Sequence, residues 1–95
     1  MFQIIVKAEV RNMLNEIYHW YEEQVPGLGE RFLDEMDIGL IKLKKAPYSY
    51  TLLRGNYRQL LLKNFPYKVV FEIAEMSVIV YAVFHAKRDS EKFFL

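Results

Sequence analysis

The chain has 95 residues, of which 53% are hydrophobic and 16% aromatic; that is enough for one domain with one core and excludes a disordered tail. It has no cysteine, which excludes disulfides and thiolate metal sites and predicts a reducing, cytoplasmic setting. The net charge of +1 hides a split: residues 1–41 carry three bases and eight acids (net −5), and residues 42–95 carry ten bases and four acids (net +6).

An acidic half beside a basic half points to an anionic partner for the basic half. The same split also arises if the acids are only the solvated faces of helices. No stretch approaches the ~20 apolar residues of a membrane span, and the apolar run after Met1 is too short for a signal peptide. A soluble chain with no membrane partner is expected.

Phe2 to Val6 is apolar and β-branched and predicts a first strand. Residues 9–24 predict a helix, because Val10, Met13, Leu14, Ile17, Tyr18 and Tyr21 recur at three- and four-residue spacing. Glu16, Glu22 and Glu23 lie off that stripe. Pro26 and Gly27 end the helix. A second helix is predicted over 28–45, with a stripe of Leu28, Phe32, Leu33, Met36, Leu40 and Leu43. Glu30 and Asp34 stand near its start and Lys42, Lys44 and Lys45 at its end, as the helix dipole favours. Gly39 in mid-helix costs roughly 1 kcal/mol against alanine and marks a close approach to a neighbour. Pro47 stops the helix, and residues 46–56 read as a connector.

Residues 57–89 hold three apolar runs rich in Val, Ile, Tyr and Phe, broken at Asn64-Phe65-Pro66 and near Glu75-Met76-Ser77. The breaks are too short for parallel crossovers, so the runs predict an antiparallel meander. Period two puts Phe65, Tyr67, Val69, Phe71 and Ile73 on one face and Lys68, Val70, Glu72 and Ala74 on the other. The third run, nearly all apolar, predicts a strand with neighbours on both sides. The fold class is thus α+β, in the order β-α-α-β-β-β, with a helix hairpin on one face of a mostly antiparallel four-stranded sheet. The other face is open. A single domain spans 1–95.

Several phrases in this order are similar to a known family. They are Trp20-Tyr21-Glu22-Glu23-Gln24-Val25-Pro26-Gly27-Leu28-Gly29-Glu30-Arg31-Phe32-Leu33, then Ala46-Pro47, then Tyr57-Arg58-Gln59 with Phe65-Pro66-Tyr67-Lys68-Val69-Val70-Phe71, and last Ala82-Val83-Phe84-His85-Ala86-Lys87-Arg88-Asp89. Together they resemble the RelE/ParE superfamily of toxins from type II toxin–antitoxin modules, and most of all its ParE-like, plasmid-stabilisation branch. The resemblance implies a growth-inhibiting toxin, a cognate antitoxin that neutralises it, and a toxin–antitoxin hetero-oligomer. Some members cut messenger RNA on the ribosome, and others inhibit DNA gyrase.

Cutting RNA without a metal drives a ribose 2′-hydroxyl onto the adjacent phosphorus, which needs a base, an acid and cations. His19 and His85 lack metal-ligand spacing, so no metal and no cofactor is expected. The candidate cations are Arg58, Lys63, Lys68, Lys87 and Arg88. In a meander Arg58, Lys63, Lys68 and Arg88 could converge at one end of the open face, as a binding site for nucleic acid or another target. In RNA-cleaving relatives a basic residue follows the tyrosine of the second meander strand, where Lys68 stands, and an arginine follows the last strand, where Arg88 stands. Arg58 and Lys63 are equally readable as a solvated sheet face, or as partners of Glu72. His85 has the best side chain for proton transfer. It would share a strand face with Tyr81 and Lys87, and is also readable as a packed core residue. Tyr67 falls on the core face, His19 on the surface, and Trp20 and Tyr21 in the core, with Trp20 alternatively an exposed anchor.

RNA-cleaving relatives also carry a tail tyrosine, whereas this tail reads Glu91-Lys92-Phe93-Phe94-Leu95. Phenylalanine can stack on a base but cannot transfer a proton. The first reading is therefore a ParE-like inhibitor of gyrase. The second is a ribosome-dependent endoribonuclease using His85, Arg88 and Lys68. The third is an inactive relic that still binds its antitoxin.

Overall fold

Two helices lie across one face of a five-stranded sheet whose order is β1-β5-β4-β3-β2. The computed structural model describes residues 1–87. β1 (Gln3–Val6) leads into α1 (Ala8–Gln24) and α2 (Leu28–Lys45), followed by β2 (Leu52–Arg54), β3 (Tyr57–Leu61), β4 (Tyr67–Ala74) and β5 (Ser77–His85). The expected α+β order and the antiparallel meander are present, as β3-β4-β5. Two details extend the expectation. The connector holds a 3-10 turn, Pro47–Ser49, and a short strand, β2, on the edge of β3. β1 returns parallel to β5, which the long helical crossover between them permits. β5 thus lies between β1 and β4, in keeping with its nearly continuous apolar sequence. No described helix is long and apolar enough to cross a membrane.

The core lies between the hairpin and the sheet. Val10 and Tyr21 from α1 and Phe32, Met36 and Leu43 from α2 are buried against Leu60, Leu62, Val69, Phe71, Val78, Val80 and Val83. Each fully buried valine or phenylalanine contributes about 1.5–3 kcal/mol. Ile4 and Val6 complete that face from β1. Of the two aromatic residues expected in the core, Tyr21 is buried, while Trp20 is 55% exposed. Tyr21 lies on the Val10–Ile17 stripe, and Trp20 lies a quarter-turn off it.

The helix hairpin is drawn tight by side chains that looked merely solvated in the sequence. Gly27 adopts φ 89°, a left-handed conformation that glycine takes without steric cost. The Glu22 carboxylate accepts the N–H groups of Gly27 at 3.1 Å, Gly29 at 2.8 Å and Glu30 at 3.2 Å. It thereby caps the N-terminus of α2, whose first N–H groups have no partner within the helix. These bonds, that from Gly27 above all, hold Glu22 below the usual carboxylate range, against the opposing effect of desolvation. Gly29 sits where α1 and α2 touch: a Cβ there would lie 2.5 Å from the Tyr18 carbonyl oxygen. Gly39 is buried over the sheet, with Leu60 Cδ2 at 3.4 Å from where its Cβ would be.

A β-bulge changes one predicted face. Val70 pairs with Ala82, but Phe71 pairs with Val80, so Tyr81 is the extra residue. Strict alternation would have put Tyr81 on the face of Val83 and His85. The bulge turns it to the outer face, where its hydroxyl donates to Glu72 at 3.3 Å and its ring meets Tyr57 and the Lys7 ammonium. Burial, and then Glu72, raise the Tyr81 pKa above its ordinary value.

Candidate functional site

The predicted His85 and Lys87 line a cleft of about 520 Å³ between α1 and the ends of β4 and β5. Met13, Glu16 and Ile17 form one wall, and Tyr67, Val83, Phe84, His85 and Lys87 form the other. Met13, Glu16 and Ile17 share a helix flank because they recur at three- and four-residue spacing. Trp20, four residues on from Glu16, stands about one turn further along the helix and is exposed.

His85 enters the cleft on the helix side, opposite Tyr67 across the β4–β5 ladder. The two rings meet edge to face, with centroids 5.4 Å apart. The Lys87 backbone N–H donates to His85 Nδ1 at 3.2 Å. In the neutral imidazole this places the proton on Nε2. Tyr67 is held in turn by Phe32, at 5.6 Å between centroids, and Tyr21, at 6.4 Å, and Phe65 packs on both of those rings. Such contacts add about 0.5–1.5 kcal/mol each beyond burial, so the floor of the cleft is a rigid aromatic block. Burial, and then Tyr67, raise the Tyr21 pKa.

Among the described residues, the predicted cations do not converge on one face. Lys68 pairs with Leu61 and Phe84 and points to the outer face, away from the helices. It follows Tyr67 directly, and adjacent strand residues face opposite ways. His85 and Lys68 therefore lie on opposite sides of the sheet. Arg58 corrects the expectation more sharply. It shares the helix-side face with Phe71, and its Nη1 donates to the carbonyls of Tyr50 at 2.7 Å and Tyr48 at 3.3 Å. Its guanidinium also lies 5.4 Å from the Tyr48 ring centre. Arg58 thus ties the connector down and does not join an open cationic face. Lys63 is exposed beside α2, across the domain from the cleft. Among the described residues, Lys87 is the predicted cation that accompanies His85. Arg88 and the phenylalanines of the tail lie outside the described residues.

The cleft brings together a carboxylate, an imidazole, a phenol and an ammonium around an apolar floor. Glu16 and Met13 were missed as site residues, because in sequence they are only a solvated acid and a stripe residue. The usable signal was their position on one flank of α1, together with the exposed Trp20. Among the described residues no group of three or more His, Cys, Asp and Glu is gathered as a metal ion would need.

The fold is shared with solved structures of low sequence identity. A chain from the chromosomal ParDE toxin–antitoxin system of P. aeruginosa superposes with a TM-score of 0.81 at 13% identity, covering 92% of this chain and 98% of that one. The isolated E. coli RelE toxin superposes with a TM-score of 0.68 at 14% identity, covering the whole of both chains. A sequence search of curated proteins finds no match. The family model for the ParE toxin of the type II toxin–antitoxin system parDE matches residues 4–90, and with that match over nearly the whole length the chain belongs to the ParE toxin family.

Proposed function

We propose that this chain arrests growth by binding and inhibiting DNA gyrase in the cytoplasm, and that a cognate antitoxin neutralises it in a hetero-oligomer. One observation carries the choice: His85 and Lys68 lie on opposite faces of the sheet. Attack of a 2′-hydroxyl on phosphorus, with departure of the 5′-oxygen, needs its base and its cation around one phosphorus, and a sheet separates these two. The helix-side cleft offers apolar anchors, Met13, Ile17 and Val83, ringed by Glu16, His85 and Lys87. That is the anatomy of a docking surface, with an apolar centre and a charged rim. The test is a supercoiling assay on relaxed plasmid with gyrase and ATP. The purified chain is expected to block supercoiling, and the antitoxin to relieve the block; unchanged supercoiling at high excess overturns the reading.

A second reading has one observation in its favour. His85 abuts Tyr67 in an open cleft, with Lys87 beside it, a set that could move a proton on a ribosome-bound message. Primer extension on translated mRNA after induction separates the two readings. New cuts that disappear in His85→Ala would establish ribonuclease action, and an absence of cuts would reject it.

A further inference from the structure

The flank of α1 that borders the cleft carries a pattern the cleft itself does not use. Glu9, Glu16 and Glu23 recur every seven residues, which brings them into one row along the helix. Met13 and Trp20, also seven apart, form an apolar row beside it. Met13 and Glu16 line the cleft. Trp20 is the chain's one tryptophan, and it is 55% exposed. Its ring meets the buried Tyr21 edge to face, with centroids 5.1 Å apart, so the indole is held from one side and open to solvent on the other. Tryptophan is among the residue types most enriched at the anchors of protein interfaces, because it offers a large rigid surface at little cost in entropy.

The charge on this flank selects the occupant. Glu9, Glu16 and Glu23 are all exposed, and among the described residues their carboxylates have no hydrogen-bond or ion-pair partner. Other acids of the hairpin are engaged: Glu22 caps α2, Glu30 accepts the Tyr18 hydroxyl at 3.2 Å, and Glu35 accepts the Asn64 N–H at 2.9 Å. The base that α1 carries, Arg11, lines a hollow with Asn15, Tyr18 and Glu30 on the side toward α2, away from the row. Lys87 stands across the cleft and forms no ion pair with Glu16. Unanswered negative charge beside an exposed indole repels phosphates and attracts cations. Glu16 precedes Trp20 by four residues and Glu23 follows it by three, so both stand within about one turn of the ring. Arginine fits this set better than lysine. Its planar, weakly hydrated guanidinium stacks on an indole face and still presents N–H groups to a carboxylate.

We propose that this flank of α1 docks arginine side chains of a protein target, with Trp20 as the stacking platform and Glu16 and Glu23 as acceptors of the guanidinium N–H groups. Glu9 extends the negative row, and Met13 covers the apolar stem of a neighbouring side chain. The inference rests on reading the adjoining cleft as a surface that docks a target, and it supplies the chemistry of that target: a basic, arginine-bearing patch. It also gives a role to the acidic half of the chain, whose residues 1–41 carry net −5.

The test uses the full chain and its single indole N–H resonance, followed by NMR at low salt. The probes are a blocked pentapeptide, glycine-arginine-glycine-arginine-glycine, and its lysine and citrulline counterparts. The arginine peptide is expected to shift the indole signal saturably, with a dissociation constant near about 1 mM. Lysine should bind at least about threefold more weakly, and neutral citrulline should not bind. Glu16→Gln and Glu23→Gln are each expected to weaken the arginine peptide about threefold, and circular dichroism on both confirms that the fold persists. No saturable shift up to about 10 mM, equal binding of arginine and lysine, or full binding by the double Glu16→Gln/Glu23→Gln chain overturns the proposal. A supercoiling assay separates this inference from the reading beneath it. Inhibition of gyrase undiminished in Trp20→Leu overturns the docking role and leaves the gyrase reading intact. Arginine binding without any inhibition by wild type supports the surface and rejects gyrase as its partner.

Discussion

The helix hairpin leaves a hollow on each flank, and the two are built differently. Beside α1 the cleft is wide, ends at His85 and Lys87, and contains groups that can exchange protons. Beside α2 the groove is narrow, lined by Phe65, floored by Leu60, Leu62 and the bare backbone of Gly39, and bounded by the part of β3 that β2 does not cover. The difference follows from where the strands stop. β5 runs on to His85 and carries polar side chains out from under α1, whereas β2 ends early along β3. The lesson is that a single layer of helices on a sheet offers two chemically distinct rims, set by strand lengths as much as by side chains.

Phe32, like Tyr21, joins the two hollows, and Phe32 gives the largest expected effect. Phe32 is fully buried and touches Tyr67, which lines the cleft, and Phe65, which lines the groove. Phe32→Ala is expected to cost about 3–5 kcal/mol in urea denaturation, a large share of the roughly 5–15 kcal/mol available to a small domain. If this ring supports the cleft, gyrase inhibition falls in Phe32→Leu, which retains the fold. Gly29→Ala comes next. The helix-propensity gain of up to about 1 kcal/mol is outweighed by overpacking against the Tyr18 carbonyl, at about 1–3 kcal/mol. A net fall in the urea midpoint is the expected result; a rise would mean that the two helices have room to part.

Functional variants then separate the faces. His85→Ala and Lys87→Glu in the cleft are each expected to weaken gyrase inhibition several-fold, about 1 kcal/mol for an interface truncation. Lys68→Ala on the opposite face should stay within about twofold of wild type. The reverse pattern would move the working surface to the outer face of the sheet. The smallest effect is expected from Glu22→Gln, and pH reveals it. The folded-state pKa of Glu22 is depressed. Its carboxylate therefore contributes stability that is fully present above the unfolded value near 4.5 and is lost as pH falls through the folded value. The Tm difference between wild type and Glu22→Gln should be greatest near neutrality and shrink below about pH 4.5. A difference that stays constant with pH would rule out the cap as its source.

Much of this molecule was legible one residue at a time. The spacing of Val10, Ile17 and Tyr21, and of Phe32, Met36 and Leu43, specified two helices and the faces they bury, because helical period is a local property. Pro26 and Gly27 marked the turn, and short breaks made the last three strands antiparallel. The same local rule separates Tyr67 from Lys68, and it was enough to put those two side chains on opposite faces. It could not say that His85 shares the side of Tyr67, because that depends on the register between β4 and β5 and on a bulge at Tyr81 that shifts the alternation midway. Nor could it turn Arg58 inward, since the Tyr48 and Tyr50 carbonyls that capture its guanidinium come from the connector. Glu22 read as one more solvated acid until α2 brought three N–H groups to it. Composition and periodicity thus determined the elements and their buried faces. Pairing register, strand ends and long-range hydrogen bonds, which exist only once distant segments meet, decided which charged groups share a surface.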